Sequence, residues 1–130
     1  MNEEAVTRLQ DLTRSLHCTG VEKKDGYLLI GFGELRLFIQ SSWRLIEDGE
    51  IAVGSSSAEL ESMNGLAGRV VESVSITNDF NDLRILFTDR SVFESFADAE
   101  SHEHWTFHSS DGELFVAGPG KLWSSFSPSS

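Results

Sequence analysis

Three histidines lie close together in the run Glu100-Ser101-His102-Glu103-His104-Trp105-Thr106-Phe107-His108. On an extended strand they share one face, opposite Trp105 and Phe107, because side chains alternate. His102 and His104 would then stand roughly 6.6 Å apart, close enough to share a metal ion, while His108 lies some 13 Å from His104. Two imidazoles fall short of the three or four ligands that a metal centre needs. The spacing therefore favours a solvated strand face, with His102 and His104 as the runner-up metal pair and no cofactor expected.

A second pairing is His17-Cys18. A Cys–His nucleophile needs ring and sulfur within hydrogen-bond reach, and consecutive residues of a helix point apart. Cys18 reads as a small hydrophobe at a helix end, with His17 suited to the helix C-terminus. Paired carboxylates recur at Asp48/Glu50 and Asp111/Glu113. Acid–base catalysis would need such groups to converge on a cleft, whereas each Asp here precedes a Gly and reads as the start of a tight turn. Gly31-Phe32-Gly33 and Gly118-Pro119-Gly120 continue into neither a dinucleotide fingerprint nor a P-loop. No nucleophile elbow, HExxH or C-x-x-C occurs, and the sequence predicts a non-enzymatic protein.

The elements that must position these residues are short. Ala5, Leu9, Leu12 and Leu16 recur at spacings of four, three and four, which predicts a helix with one apolar stripe, capped by Asn2 and ended by Gly20. Strands are expected at Tyr27–Phe32, Glu34–Gln40, Ser42–Glu47 and Glu50–Gly54, the last two joined at Asp48-Gly49. A capping box at Ser56 and Glu59 predicts a second, short helix carrying Leu60, Met63 and Leu66. Further strands are expected at Val70–Ile76, Asp82–Phe87, Ser91–Phe96, His104–His108 and Glu113–Ala117.

The two halves match in order. Leu28-x-Ile30-x-Phe32 corresponds to Leu83-x-Ile85-x-Phe87, and Trp43-Arg44-Leu45 to Trp105-Thr106-Phe107. Asp48-Gly49-Glu50 corresponds to Asp111-Gly112-Glu113, and Ile51-Ala52-Val53 to Leu114-Phe115-Val116. The expected fold class is α+β: two pseudo-symmetric helix-plus-antiparallel-meander units, repeat one over 4–54 and repeat two over 57–118. They would form one sandwich or barrel-like domain across 1–118, with Trp43 and Trp105 in the core and a flexible tail over 119–130.

Composition agrees with a single folded domain: 130 residues, 39% apolar, with three Trp and nine Phe. The longest apolar runs are too short to cross a bilayer, and Met1-Asn2-Glu3-Glu4 does not open a signal peptide. One cysteine allows no internal disulfide, which fits a cytoplasmic protein. The net charge of −11 is unevenly placed. Residues 1–44 hold six acids and six bases, so the whole excess lies in 45–130, with fifteen acids against four bases. Such a surface repels nucleic acid and anionic membranes and attracts basic partners. The candidate partner-binding residues are Glu47, Asp48, Glu50, Asp98, Glu100, Glu103, Asp111 and Glu113, on the two Asp-Gly-Glu turns and the loop Phe96–Glu103.

The stretch Gly68-x-Val70 through Val74-x-Ile76, with Leu83-x-Ile85-x-Phe87 and Trp105-Thr106-Phe107, resembles a family of uncharacterised small bacterial proteins. Their pattern is an L-x-I-x-F strand, a turn, another strand and a lone W-x-[LF] strand. Such proteins are similar to the immunity proteins that accompany secreted bacterial toxins. The resemblance implies a non-enzymatic bacterial cytoplasmic protein and assigns no functional residue. The sequence thus points to an immunity-type inhibitor of a basic toxin domain, monomeric or homodimeric. The other readings are a small metal- or ligand-binding enzyme using His102 and His104, and a homodimeric structural module.

Overall fold

The computed structural model describes residues 3–24, 27–54, 66–76, 82–96, 105–109, 112, 114–117 and 123–126. Among these, one helix and eleven strands form. Helix α1 spans Glu3–Thr13. Strands β1 (Gly20–Lys24), β2 (Tyr27–Phe32), β3 (Leu35–Ile39), β4 (Trp43–Glu47) and β5 (Glu50–Gly54) follow, then β6 (Val71–Ile76), β7 (Leu83–Phe87) and β8 (Val92–Ser95). The last three are β9 (Trp105–His108), β10 (Leu114–Ala117) and β11 (Trp123–Phe126). All neighbours pair antiparallel, in a six-stranded sheet β1-β2-β3-β9-β10-β11 and a five-stranded sheet β5-β4-β8-β7-β6.

This overturns the α+β expectation. The described chain is mostly β, with a single short helix in place of two helix-bearing units. Three physical causes separate the fold from the expectation. First, α1 stops at Thr13, whose hydroxyl donates back to the Leu9 carbonyl at 2.9 Å, and Ser15 then turns left-handed at φ 66°. Leu16 therefore packs on the core from outside the helix, and Gly20 opens β1 instead of ending a helix. Second, the polar run Gly-Val-Glu-Lys-Lys becomes an edge strand, where charged side chains suit the solvent. Third, Trp123–Phe126, inside the expected tail 119–130, pairs with β10. The expected second helix over 56–66 lies outside the described residues except for Leu66, which is fully buried.

Nor does either half form its own meander. Under the sequence match, β1 to β5 correspond to β6 to β10. Each sheet takes its first three strands from one half and the next two from the other: β1-β2-β3 with β9-β10, and β6-β7-β8 with β4-β5. The chain makes no hairpin at Gln40–Ser42: the favoured two-residue hairpin turns use positive φ, as at Asp48 (52°) and Gly49 (78°), and none of residues 40–42 adopts one. Instead of folding back, the chain crosses to the opposite sheet, where Phe96 N–H donates to Ser42 O at 2.8 Å and the Ser41 and Ser95 hydroxyls meet at 2.9 Å.

The cross-strand rows keep the correspondence. Val21, Ile30, Leu37, Phe107 and Phe115 align across the larger sheet. Val74, Ile85, Phe93, Leu45 and Val53 align across the smaller one. The sequence match at β5 shifts by one residue, because Ala52 is bulged between Val53, opposite Leu45, and Ile51, opposite Ile46. One core cluster joins both inner faces and Leu9 of α1. It contains Trp43 and Trp105, as expected from the sequence, and burying each aromatic of this kind contributes about 1.5–3 kcal/mol.

The halves meet at a short antiparallel crossing where His17 pairs with Val70. Val71 N–H donates to Leu16 O, and Cys18 N–H to Arg69 O, both at 2.8 Å. Ser15 N–H donates to Val71 O at 3.0 Å, and Gly68 N–H to Cys18 O at 2.7 Å. Adding or subtracting 53 turns each bond of a pair into the other, so a pseudo-twofold axis passes through the His17–Val70 pair. No described helix is long and apolar enough to cross a membrane.

Candidate functional site

The strand registers bring the β4–β5 and β7–β8 turns to one end of the five-stranded sheet, beside the crossing. Arg69, on the second half's side of that crossing, joins the two turns. Its Nη2 donates to Glu47 Oε2 at 2.7 Å, and its Nε lies 3.3 Å from Asp89 Oδ2. Asp89 is further held by the Ser91 amide at 2.9 Å and by the Ser91 hydroxyl, an Asx turn closing the β7–β8 hairpin. Burial pushes the Asp89 carboxyl up, but the two Ser91 hydrogen bonds and the Arg69 charge outweigh it and hold the group below its usual range.

Of the expected partner-binding acids, Glu47, Asp48 and Glu50 are described, and all stand at this end. Asp48 and Glu50 are exposed on the turn. Glu47 is committed to Arg69 while its side chain keeps 37% exposure. Asp98, Glu100, Glu103, Asp111 and Glu113 lie outside the described residues, as do His102 and His104. The structure adds Asp89, for which Asp-Arg-Ser after Thr88 is the only sequence signal. Arg69 carries none, since its role depends on two turns remote in sequence. The end thus presents Glu47, Asp48, Glu50 and Asp89, with the exposed Arg90 in the same turn as Asp89; Glu47 and Asp89 hold the Arg69 guanidinium, whose Nη1 is buried without a hydrogen-bond partner among the described residues.

The remaining chemistry-bearing groups are dispersed. Cys18 is 1% exposed, and burial pushes its thiol up, so the thiolate needed for nucleophilic attack is disfavoured. His17 is exposed at the crossing, four residues past the helix end, which corrects its expected place at the helix C-terminus. His108 stands on the outer face of β9 beside Arg36, with which it is register-paired, and its ring meets Phe38 edge-on at 5.0 Å. Burial lowers the His108 pKa, and the Arg36 charge lowers it further. Next to Arg36 the six-stranded sheet has an open depression of about 540 Å³ containing Thr19, Gly31 and Gly33. Arg36 suits an anionic group there, but no nucleophile or acid–base pair converges on it among the described residues. Across the other sheet, Glu94 accepts from Arg44 Nε and Nη2 at 3.1 and 3.0 Å, and the Arg44 guanidinium lies 5.0 Å from the Phe96 ring centroid. This cluster ties β4 to β8 across the seam between the halves. No group of three potential metal ligands occurs among the described residues.

No family model, curated protein or solved structure matches the chain.

Proposed function

We propose that the chain is a non-enzymatic binding module that captures a basic protein domain, of the immunity-inhibitor type, in a bacterial cytoplasm. The observation that supports it is the convergence of Glu47, Asp48, Glu50 and Asp89 at one end of the five-stranded sheet, within residues 45–130, which hold fifteen acids and four bases. The acids would steer a cationic surface inward and hold it by exposed charge pairs, so that the body of the two sheets occludes the partner sterically. Asp98, Glu100, Glu103, Asp111 and Glu113 would extend the same field. Charge pairs of this exposed kind depend strongly on salt, since screening acts over about 8 Å at physiological ionic strength.

The test is a pull-down from bacterial lysate in low and high salt, with Asp48→Lys/Glu50→Lys as control bait. Retention of a basic protein in low salt, lost in high salt and by the control, is the expected result. Retention of none at low salt rejects the reading.

A further inference from the structure

One outer-face row is filled by apolar side chains in the smaller sheet and hollow in the larger. Gly20, Gly31, Arg36 and His108 align across β1, β2, β3 and β9. The equivalent positions on β6, β7, β8 and β4 are Ser73, Leu86, Val92 and Ile46. Where the five-stranded sheet carries Leu86 and Val92, the six-stranded sheet thus has a bare glycine and a guanidinium. The open depression of about 540 Å³ lies at this row, within the roughly 300–1,000 Å³ of small-molecule sites. Gly20, Gly31 and the half-buried Leu29 line it, and a Cβ at Gly20 would meet nothing within 4 Å. Arg36 lines it too, exposed and without an ion-pair partner among the described residues. Thr19 Oγ1 accepts the Gly33 amide at 3.3 Å and keeps its own proton to donate. Residues 19–36 hold three acids and three bases, so the negative excess that would repel an anion lies elsewhere in the chain.

We propose that this depression binds a small molecule that carries one oxyanion, a carboxylate or a phosphate, on a flat apolar body. The oxyanion pairs with the Arg36 guanidinium through charge-assisted hydrogen bonds, and the Thr19 hydroxyl donates a further one. The body lies on Leu29 and the two glycines, whose missing side chains let a planar group approach the sheet backbone. A polyanion such as nucleic acid is disfavoured, because its further phosphates would meet a chain of net charge −11. His108 is register-paired with Arg36, and that charge helps to keep its ring neutral. An oxyanion on Arg36 therefore raises the His108 pKa. The depression lies on the other sheet from Glu47 and Asp89, so its occupancy is independent of the basic-partner reading.

The experiment titrates the full isotope-labelled chain with benzoate, phenyl phosphate, inorganic phosphate and the neutral benzamide, and follows backbone amide shifts. Benzoate or phenyl phosphate is expected to give saturable shifts centred on 19–22 and 29–36, and the tighter of the two assigns the oxyanion. Affinity should fall about tenfold or more for benzamide, for inorganic phosphate and in Arg36→Gln. Gly20→Leu, which fills the depression from a position with room for a side chain, should remove binding while the remaining amide spectrum is kept. The His108 ring titration should move up on saturation in the natural chain and not in Arg36→Gln. Inorganic phosphate binding as tightly as phenyl phosphate, or binding that survives Gly20→Leu, reduces Arg36 to an exposed charge and overturns the proposal. Benzamide binding as tightly as benzoate makes the site merely apolar and overturns it as well. No saturable shift with either benzoate or phenyl phosphate rejects it outright, and leaves the basic-partner reading untouched.

Discussion

Ser15 and Gly68 stand 53 positions apart and hold the same left-handed backbone conformation, at φ 66° and 91°. Their amides donate to Val71 and Cys18, themselves 53 apart. Leu16 N–H and Arg69 N–H likewise donate to Thr13 O and Leu66 O, at 3.1 and 3.0 Å. The crossing is thus one backbone design used twice, with a residue of ordinary left-handed cost in the first half and glycine in the second. Gly68→Ala is expected to destabilise by about 1 kcal/mol, since a side chain in this conformation costs roughly 1–2 kcal/mol. Ser15→Gly is expected to fall on the stabilising side by up to about 1 kcal/mol. Urea unfolding midpoints of the two variants check the pair; a loss of stability in both removes the equivalence.

Gly31 owes its identity to a neighbour. A Cβ there would lie 2.8 Å from Thr19 Oγ1, and that hydroxyl accepts the Gly33 amide at 3.3 Å. Gly31→Ala is expected to cost about 1–3 kcal/mol through overpacking. In a Thr19→Ala background the same change should cost less by about 1 kcal/mol, the signature of a shared contact in a double-mutant cycle. Additive costs would remove the contact as the cause.

Arg69 occupies the place that Leu16 holds in the first half, and it replaces a hydrophobic contact by two carboxylate contacts and a buried, unpaired Nη1. Arg69→Leu is expected to destabilise by roughly 1 kcal/mol, since it removes one partner of two contacts whose carboxylates, 37% and 49% exposed, can return to water. Its effect belongs to Asp89. With the folded pKa held low, the stabilisation from this carboxylate is present above its ordinary pKa and is lost as pH falls through the lowered value. In Arg69→Leu the Asp89 titration should move up and the acid limb of the stability curve should flatten. NMR titration of the Asp89 carboxyl carbon reads this directly, and an unmoved midpoint contradicts it.

His108 acts in the same direction, at higher pH and for a different reason. Burial and Arg36 favour the neutral ring, so the folded chain binds the proton less readily than the unfolded chain does. Stability from this site is complete above the ordinary pKa of about 6.5 and declines as pH falls through the lowered folded value. Arg36→Gln should raise the His108 pKa part of the way, leaving the effect of burial. His108→Gln should remove the corresponding slope below neutrality. Proton-detected titration of the ring checks the first and denaturant melts at two pH values the second.

Local signals carried far along this chain, and long-range ones did not. Tyr27–Phe32 and Glu50–Gly54 coincide with β2 and β5, because alternation and an Asp-Gly turn act within a few residues. Leu16 keeps helical spacing with Leu9 and Leu12 yet reaches the core from the crossing, since Ser15 breaks the helix for reasons that lie at Val71. β1 carries too little apolar alternation to announce itself; its pairing with β2 makes it a strand. The exchange of strands between halves depends on what Gln40–Ser42 fails to do, and absence of a turn is a faint signal. At the acidic end, Glu47, Asp48 and Glu50 were legible as charge on a hairpin. That Glu47 is held by Arg69, and Arg69 by Asp89, required three segments to be brought together.

The exchanged strands also impose an order in time. When residues 1–54 have left the ribosome, β3 has no β9 and β4 has no β8 beside it, so each lacks a flanking strand that only later synthesis delivers. The aromatic and aliphatic faces meant for the core then wait in solution until β8 and β9 emerge. Nascent chains of this architecture cannot complete either sheet from the amino end alone, and their passage through that interval is the one most exposed to misassociation and most open to chaperone capture.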